Sequence, residues 1–165
     1  MNVVLGREGV SLLIKYFKLK RDQLDNIVDE ISKALSDRGY QLMLANAPLS
    51  DIDGNIGGTV GTEKQGKLYR ITYSGQDVAY IEFGTGYVGE HKPYPDTENL
   101  AKAGWEYDIH GHGSNGWFYY SKRDGSLKHS KGGMYPEMPV FKSYTQLRDE
   151  ALEIIKEVFN AKYAD

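Results

Sequence analysis

A long amphipathic repeat near the start of the chain limits the fold more than any other feature. Between Lys20 and Ala47, apolar residues recur at steps of three, four and seven, and charged residues occupy the other face. A helix of this length extends about 40 Å. Pro48 disfavours helical geometry at Ala47, so we expect the helix to end there. The apolar positions are Leu24, Ile27, Val28, Ile31, Leu35, Leu42 and Ala45.

Two further segments have helical character. The stretch from Ser143 to Lys162 is amphipathic and predicts a C-terminal helix, whereas the apolar residues from Val10 to Phe17 predict a short separate helix before the long one. The apolar stripe of the C-terminal segment consists of Leu147, Ala151, Ile154, Ile155, Val158 and Phe159.

The middle of the chain is predicted to be rich in strands. Residues alternate between apolar and polar from Lys67 to Tyr73, and Asp77 to Phe83 follows as a second strand after a turn at Ser74-Gly75. We therefore expect these two strands to form an antiparallel hairpin. Trp105 to Ile109 and Trp117 to Tyr120 predict two more strands.

The order of these elements predicts the fold class. The strands follow one another without helices between them, which favours an α+β fold over a doubly wound sheet. We expect a central antiparallel sheet flanked by the long N-terminal helix and the C-terminal helix. Two segments, Gly84 to Gly104 and Ser130 to Pro139, are expected to be long loops. A length of 165 residues favours a single domain covering residues 1–165.

Composition removes several classes of function. The chain contains no cysteine, which excludes disulfides, thiolate catalysis and cysteine-based zinc sites. Its net charge of −3 argues against general binding to nucleic acid. No apolar run reaches the ~18–20 residues of a membrane helix, and the first residues lack the pattern of a signal peptide.

The sequence GTGYVG, from Gly84 to Gly89, matches the G-x-G-x-x-G pattern of dinucleotide-binding loops. Such loops open a helix that points its free N–H groups at the phosphates, whereas Pro93 and Pro95 follow here. We therefore expect no nucleotide or other cofactor. Two interpretations remain. The glycines permit a wide turn whose N–H groups donate to Glu82, or the loop docks on a partner.

The segment AYIEFGTG, from Ala79 to Gly86, resembles the YAxYVEFGT signature of minor tail or tail-completion proteins of long-tailed bacteriophages, also called head–tail joining proteins. Other parts of the chain follow the order of that family. They are the helix ending at Ala47-Pro48, the Gly-Asn-Ile segment at residues 54–56, the Trp/Gly-rich section from Gly104 to Trp117, and Met138 to Phe141 before the last helix.

The resemblance implies an α+β fold and a structural role in the virion, without catalytic residues, metal or cofactor. It implies a homo-oligomeric ring at the head–tail joint, assembled in the cytoplasm of the bacterial host. The expected partners are the tail tube or tail terminator protein and the head-closure or connector proteins. The residues predicted to contact partners are Glu82, Gly84, Thr85, Gly86, Tyr87, Val88 and Tyr94. We expect the loops to be mobile in the free monomer.

Two alternatives come from other residues. Asp108, His110 and His112 are spaced by two, so on a strand they would share one face and offer a metal site to a small hydrolase. Gly111 and Gly113 favour a solvated turn instead.

The second alternative is a carbohydrate-binding module that stacks sugars on exposed aromatic residues. Its candidates are Trp105, Tyr107, Trp117, Phe118, Tyr119 and Tyr120. Most of these are expected to lie in the core. A basic cluster at Lys15, Lys18, Lys20 and Arg21 is interpreted as solvated residues around the start of the first helix, or as a contact with an acidic neighbour.

Overall fold

The computed structural model describes residues 7–48, 57–75, 77–121 and 124–163. It confirms the α+β class, with a long helix at each end and two antiparallel pairs of strands between them. The strands are divided between two separate two-stranded sheets. The Gly-Asn-Ile segment at residues 54–56 lies outside the described residues.

The first helix, α1, is continuous from Arg7 to Asn46. Its 40 residues span about 60 Å. The prediction of a separate short helix from Val10 to Phe17 is wrong, because no helix-breaking residue stands between that segment and Lys20. The predicted end is confirmed, since the helix stops just before Ala47 and Pro48.

The last helix, α5, runs from Pro139 to Tyr163, four residues earlier at its start than predicted. Proline at the first position of a helix is favourable, because its missing N–H would have no partner there. The helix packs antiparallel on the C-terminal part of α1. Arg38 binds Glu150 through bonds of 2.6 and 2.9 Å, and Lys162 pairs with Glu30. It therefore covers α1 from Asn46 back to Glu30.

The first hairpin joins β1 (Thr59–Gln65) to β2 (Leu68–Ser74). Its inner face packs on α1, where Val60 lies in a core with Met43 and Ala47. Beneath the hairpin tip, Lys64 pairs with Asp29 and Lys67 with Asp25. The strand at β2 is confirmed, whereas its predicted partner at residues 77–83 is wrong.

Residues Val78–Phe83 form a short helix, α2, instead of the predicted strand. A short apolar run fits a buried strand and a buried helix equally well, so periodicity alone does not separate them. In the helix, Ile81 and Glu82 are buried and Tyr80 points outward.

The predicted loop from Gly84 to Gly104 contains two further helices, α3 (Gly86–His91) and α4 (Thr97–Lys102). Asp96 starts α4 by accepting a bond of 3.3 Å from the amide of Asn99. The predicted strand from Trp105 to Ile109 is also wrong, since this segment has no strand pairing and leads through turns into a short 3-10 helix at Gly113–Asn115.

The second hairpin joins β3 (Trp117–Tyr120) to β4 (Leu127–Ser130). It confirms the strand predicted at residues 117–120. An irregular segment follows, in agreement with the predicted loop, and Met134 within it makes an isolated antiparallel bridge to Thr85. This bridge brings the second hairpin next to the GTGYVG segment.

Candidate functional site

Glu82 connects α2 to the last helix. Its side chain is 5% exposed, and its carboxylate accepts hydrogen bonds of 2.8 Å from the Val140 amide and 3.0 Å from the Phe141 amide. These amides belong to the first turn of α5, where N–H groups have no acceptor within the helix and favour a negative charge. Glu82 therefore caps α5 from another part of the chain. Glu82 accepts hydrogen bonds from backbone N–H groups as predicted, but the prediction that the glycine loop supplies these donors is wrong, because they belong to α5.

The glycines beyond Glu82 allow two backbones to approach closely. Thr85 and Met134 exchange backbone hydrogen bonds of 3.0 and 3.1 Å, and the Val88 amide donates to the Gly132 carbonyl at 2.9 Å. Gly86 has a φ of 64°, and a Cβ there would overlap the Gly132 carbonyl oxygen. The motif thus joins α2 to the segment that follows the second hairpin. We call the region of Glu82–Gly86, Met134 and Phe141 the Glu82 junction.

Tyr94 packs on this junction. Its ring lies edge-on against Phe83 and Phe141, with centroids 5.0 and 5.6 Å apart, and its amide donates to the Tyr107 hydroxyl at 2.9 Å. Burial, together with the charge of and a hydrogen bond to Glu82, raises the pKa of Tyr94 to about 12. The hydroxyl therefore stays neutral over the ordinary pH range.

The junction accounts for most of the residues predicted to contact partners. Glu82, Gly84 and Gly86 are buried, and Thr85 and Tyr94 are half-buried and bonded within the chain. Tyr87 is exposed and stacks on His91, with ring centroids 3.8 Å apart. Val88 is half-buried beside it. Contact with a partner stays a prediction for Tyr87 and Val88.

The proposed metal ligands lie on a turn, not on a strand. The Asp108 carboxylate accepts bonds from the backbone amides of Gly113 (2.8 Å) and His112 (3.1 Å), which lower the pKa of Asp108. Each oxygen of the Asp108 carboxylate thus accepts a hydrogen bond within the turn. The premise that Asp108, His110 and His112 share a strand face is wrong. Among the described residues, no group of three or more His, Cys, Asp or Glu side chains is arranged to hold a metal.

The expectation that most of the aromatic candidates lie in the core is wrong, because Trp105, Tyr107 and Trp117 are half-buried and Phe118, Tyr119 and Tyr120 are exposed. Trp105 packs against Tyr80 and Phe83, with centroids 5.8 and 5.1 Å apart. By contrast, Phe118 is 68% exposed and Tyr120 is 73% exposed. These two lie on the same face of the second hairpin, together with exposed Leu127. We call this set the aromatic face.

An exposed apolar surface on α1 was not predicted from the sequence. The helix residues from Ser11 to Asp22 are exposed on every side. We call residues 11–24 the N-terminal arm. Its exposed apolar residues are Leu12, Leu13, Ile14, Tyr16, Phe17, Leu19 and Leu24. The apolar steps within residues 10–17 are the signal that could have found this surface, but such steps equally predict a packed helix. No helix in the described ranges combines the length and apolar character needed to cross a membrane.

Comparisons with protein-family models, curated proteins and solved structures found no match to this chain. The motif resemblance and the exposed surfaces described above are therefore the features of this chain that bear on its function.

Proposed function

We propose that this chain is a structural component of a tailed-phage virion, a tail-completion or head–tail joining protein that assembles as a homo-oligomeric ring. It acts without catalysis. The resemblance of AYIEFGTG, residues 79–86, and the order of the surrounding elements support the family assignment.

The main observation in support of an assembly role is that large apolar side chains are exposed on two surfaces. The N-terminal arm exposes a run of apolar residues, and the aromatic face exposes Phe118, Tyr120 and Leu127. Single apolar residues at a surface are ordinary, whereas contiguous apolar patches mark interaction sites. Protein contacts from outside the monomer would cover both patches.

The Glu82 junction supports the same role from within the subunit. It ties α2 and α5 to the segment after the second hairpin through backbone and carboxylate bonds. A subunit of a ring must hold its contact surfaces in a fixed relation, and a joint with paired polar groups supplies that rigidity. The EFGT segment would then have a structural role, because it would fix the shape of the subunit that assembles into the ring.

The proposed position in the particle defines the partners. On one side the ring would meet the tail tube or tail terminator protein, and on the other the head-closure or connector proteins. Tyr87 and Val88 lie on α3, beside the second hairpin, and are proposed to contribute to one of these contacts. The protein would be synthesised in the bacterial cytoplasm and incorporated into the virion.

Quantitative mass spectrometry of purified tailed particles from the source culture tests this proposal. We expect a handful of copies per particle, fewer than the tube protein. A nonsense mutation in the gene is expected to leave heads and tails unjoined, as seen by electron microscopy. Absence of the protein from intact particles, together with normal particles from the mutant, would overturn the virion role.

The aromatic face favours one second candidate, the binding of carbohydrate. Phe118 and Tyr120 offer flat apolar rings to solvent, which is the surface that sugars stack on. A glycan array probed with the wild-type protein and with the Phe118→Ala/Tyr120→Ala variant separates the two functions. Glycan binding by the wild type that the double variant loses would favour the carbohydrate-binding module. If the wild type binds no glycan on the array, the result favours protein contacts at the aromatic face.

A further inference from the structure

A stripe of exposed apolar residues runs along the first part of α1. It consists of Leu13, Phe17, Leu24 and Val28, which are between 40% and 65% exposed. The steps between them are four, seven and four, so at 3.6 residues per turn the four lie within about 60° of one another. We call these four residues the α1 stripe. It begins on the N-terminal arm and continues onto the part of α1 that packs on the rest of the fold.

The rest of the described chain leaves the α1 stripe exposed. Asp25 pairs with Lys67 of the first hairpin, and Glu30 pairs with Lys162 of α5. These two acidic residues project from opposite flanks of the stripe, by the turn of the helix. The hairpin and α5 therefore contact the flanks of α1 at this level, and the apolar surface between them remains open to a partner.

The spacing of the α1 stripe is the same when it is read in reverse. Because the steps are four, seven and four, a second α1 that runs in the opposite direction can place its Leu24 on Phe17 and its Val28 on Leu13. The two-fold axis of this arrangement passes between residues 20 and 21. Such self-complementarity is the property of an isologous contact, in which the same patch of both copies meets.

Charge along α1 favours the same antiparallel arrangement. Residues 11–21 contain four basic side chains and no acidic one, whereas residues 22–30 contain four acidic side chains and no basic one. Around an axis between residues 20 and 21, the basic segment of each copy lies beside the acidic segment of the other. Opposite charges that face one another across an interface fix its register and orientation.

Lys18 and Asp25 show how the two segments meet. They lie on the same flank of the α1 stripe, and in the antiparallel register Lys18 of one copy is within about 3 Å, along the helix axis, of Asp25 of the other. The Asp25 carboxylate stays exposed although Lys67 binds its Oδ1 atom. Surface ion pairs contribute little affinity, so the apolar stripe supplies the stabilisation and the charges set the direction.

We propose that two copies of this chain form a two-fold dimer in which their α1 stripes pack against each other in antiparallel orientation. The contact covers the apolar side chains of the N-terminal arm and those of the acidic segment at the same time. The second copy supplies both a matching apolar spacing and the opposite charge.

Two other occupants fit less well. A parallel pair of α1 helices would set basic segment on basic segment and acidic on acidic, which is unfavourable. An anionic lipid surface would attract the arm, but Asp22, Asp25 and Asp29 lie next to Leu24 and Val28 and would be repelled by it. The acidic half of the stripe therefore favours a protein partner.

This inference goes beyond the proposed function. A two-fold contact closes after two copies and does not by itself build a ring. The dimer is expected of the free protein and does not depend on a role in the virion.

Cysteine trapping tests the register in the full chain, because the sequence has no cysteine of its own. Phe17→Cys and Leu24→Cys proteins are oxidised separately and as an equal mixture, then separated on a non-reducing gel. We expect a covalent dimer from the mixture and little from either protein alone. A mixture of Phe17→Cys with Glu63→Cys, whose thiol lies on exposed β1, is the control and is expected to give no dimer.

Light scattering after size exclusion measures the number of copies. The wild-type mass is expected to rise with concentration from that of one chain to that of two, by mass action, and to stop there. Phe17→Glu is expected to weaken dimerisation at least about tenfold, because it buries a charge in an apolar contact. Ser11→Glu adds the same charge on the side of the helix away from the stripe and is expected to dimerise like wild type. Circular dichroism checks that the variants retain their helix content.

Four outcomes would overturn the proposal. A Phe17→Cys protein that forms as much covalent dimer alone as in the mixture would indicate a parallel pair. A mass beyond two chains that Phe17→Glu abolishes would indicate a head-to-tail contact of the arm. A wild-type chain that stays monomeric and binds phosphatidylglycerol vesicles through Phe17 would indicate a lipid partner. A wild-type chain that stays monomeric without binding vesicles would show that the stripe does not self-associate.

Discussion

The Glu82 junction and the N-terminal arm differ in the kind of side chain that each buries or exposes. In the junction, a charged carboxylate is buried and both backbone amides facing it are paired. In the arm, residues such as Phe17, which is 65% exposed, remain in solvent on a helix that continues into the core. The junction therefore buries a charged group, which water would solvate favourably. The arm exposes an apolar ring, which is more stable away from water.

The difference separates the contacts that build the subunit from the contacts that it offers. A buried charge is tolerated only where its hydrogen bonds are satisfied, so the junction is an internal joint. An exposed apolar face is stabilised when a partner covers it, because removing apolar surface from water is favourable. Mutations in the two regions should therefore affect different measurements.

Within the Glu82 junction, the largest effect on stability is expected from Glu82→Ala. The change leaves the amides of Val140 and Phe141 without the carboxylate acceptor and removes the cap of α5, at a cost of about 3 kcal/mol in the free energy of unfolding. Urea unfolding followed by far-UV circular dichroism measures this cost. Glu90→Ala is the control, because Glu90 is exposed. If both variants unfold at the same urea concentration, Glu82 does not support the joint.

Gly86→Ala should have the next largest effect. Alanine at a φ of 64° costs about 1–2 kcal/mol, and the overlap of its Cβ with the Gly132 carbonyl adds to this cost. Gly104→Ala is the matched control, since Gly104 has a φ of 82° and the position that its Cβ would take has no atom within 4 Å. A greater loss of stability in Gly86→Ala than in Gly104→Ala isolates the close backbone contact. Equal losses would mean that the two segments are free to separate.

The ends of the fold could be predicted from sequence because local chemistry determines them. Pro48 stops α1, and the long periodic patterns of α1 and α5 leave little choice of structure. The strand at β2 was also visible, because Tyr69, Ile71 and Tyr73 alternate with polar residues. These signals each extend over several turns or several alternations.

The parts that were missed depend on distant residues. Val78–Phe83 is too short for periodicity to decide, and the first amide that Glu82 caps lies 58 positions away. The true partner of β2, Thr59–Gln65, has Val60 as its one buried residue and so lacks an apolar alternation. Of the glycines predicted to permit a wide turn, Gly84 and Gly86 have positive φ, whereas Gly89 lies within α3. Their close contacts with residues 132–134 had no local signal.

Tyr94 gives a smaller effect that depends on pH. Its pKa of about 12 in the fold exceeds the ordinary value near 10, so the folded state favours the neutral hydroxyl. The stability from this preference is complete below pH 10 and is lost as the pH rises toward 12. Relative to Tyr94→Phe, the wild type should therefore lose stability between pH 10 and 12. Urea titrations of both proteins at pH 8 and pH 11 measure it, and a difference unaffected by pH would contradict the role of Tyr94 at the junction.

Phe17→Ser is expected to have the smallest effect on the stability of the monomer. Phenylalanine and serine have similar helix propensities, and the exposed Phe17 ring meets Tyr16 edge-on at its own turn of the helix, so we expect a change below about 0.5 kcal/mol. Ile27→Ser, at a buried position of the same helix, should cost about 3 kcal/mol. Urea unfolding at low protein concentration compares the two without contributions from association. A large loss from Phe17→Ser under those conditions would show that the arm is packed within the monomer, and the contrast with the Glu82 junction would then disappear.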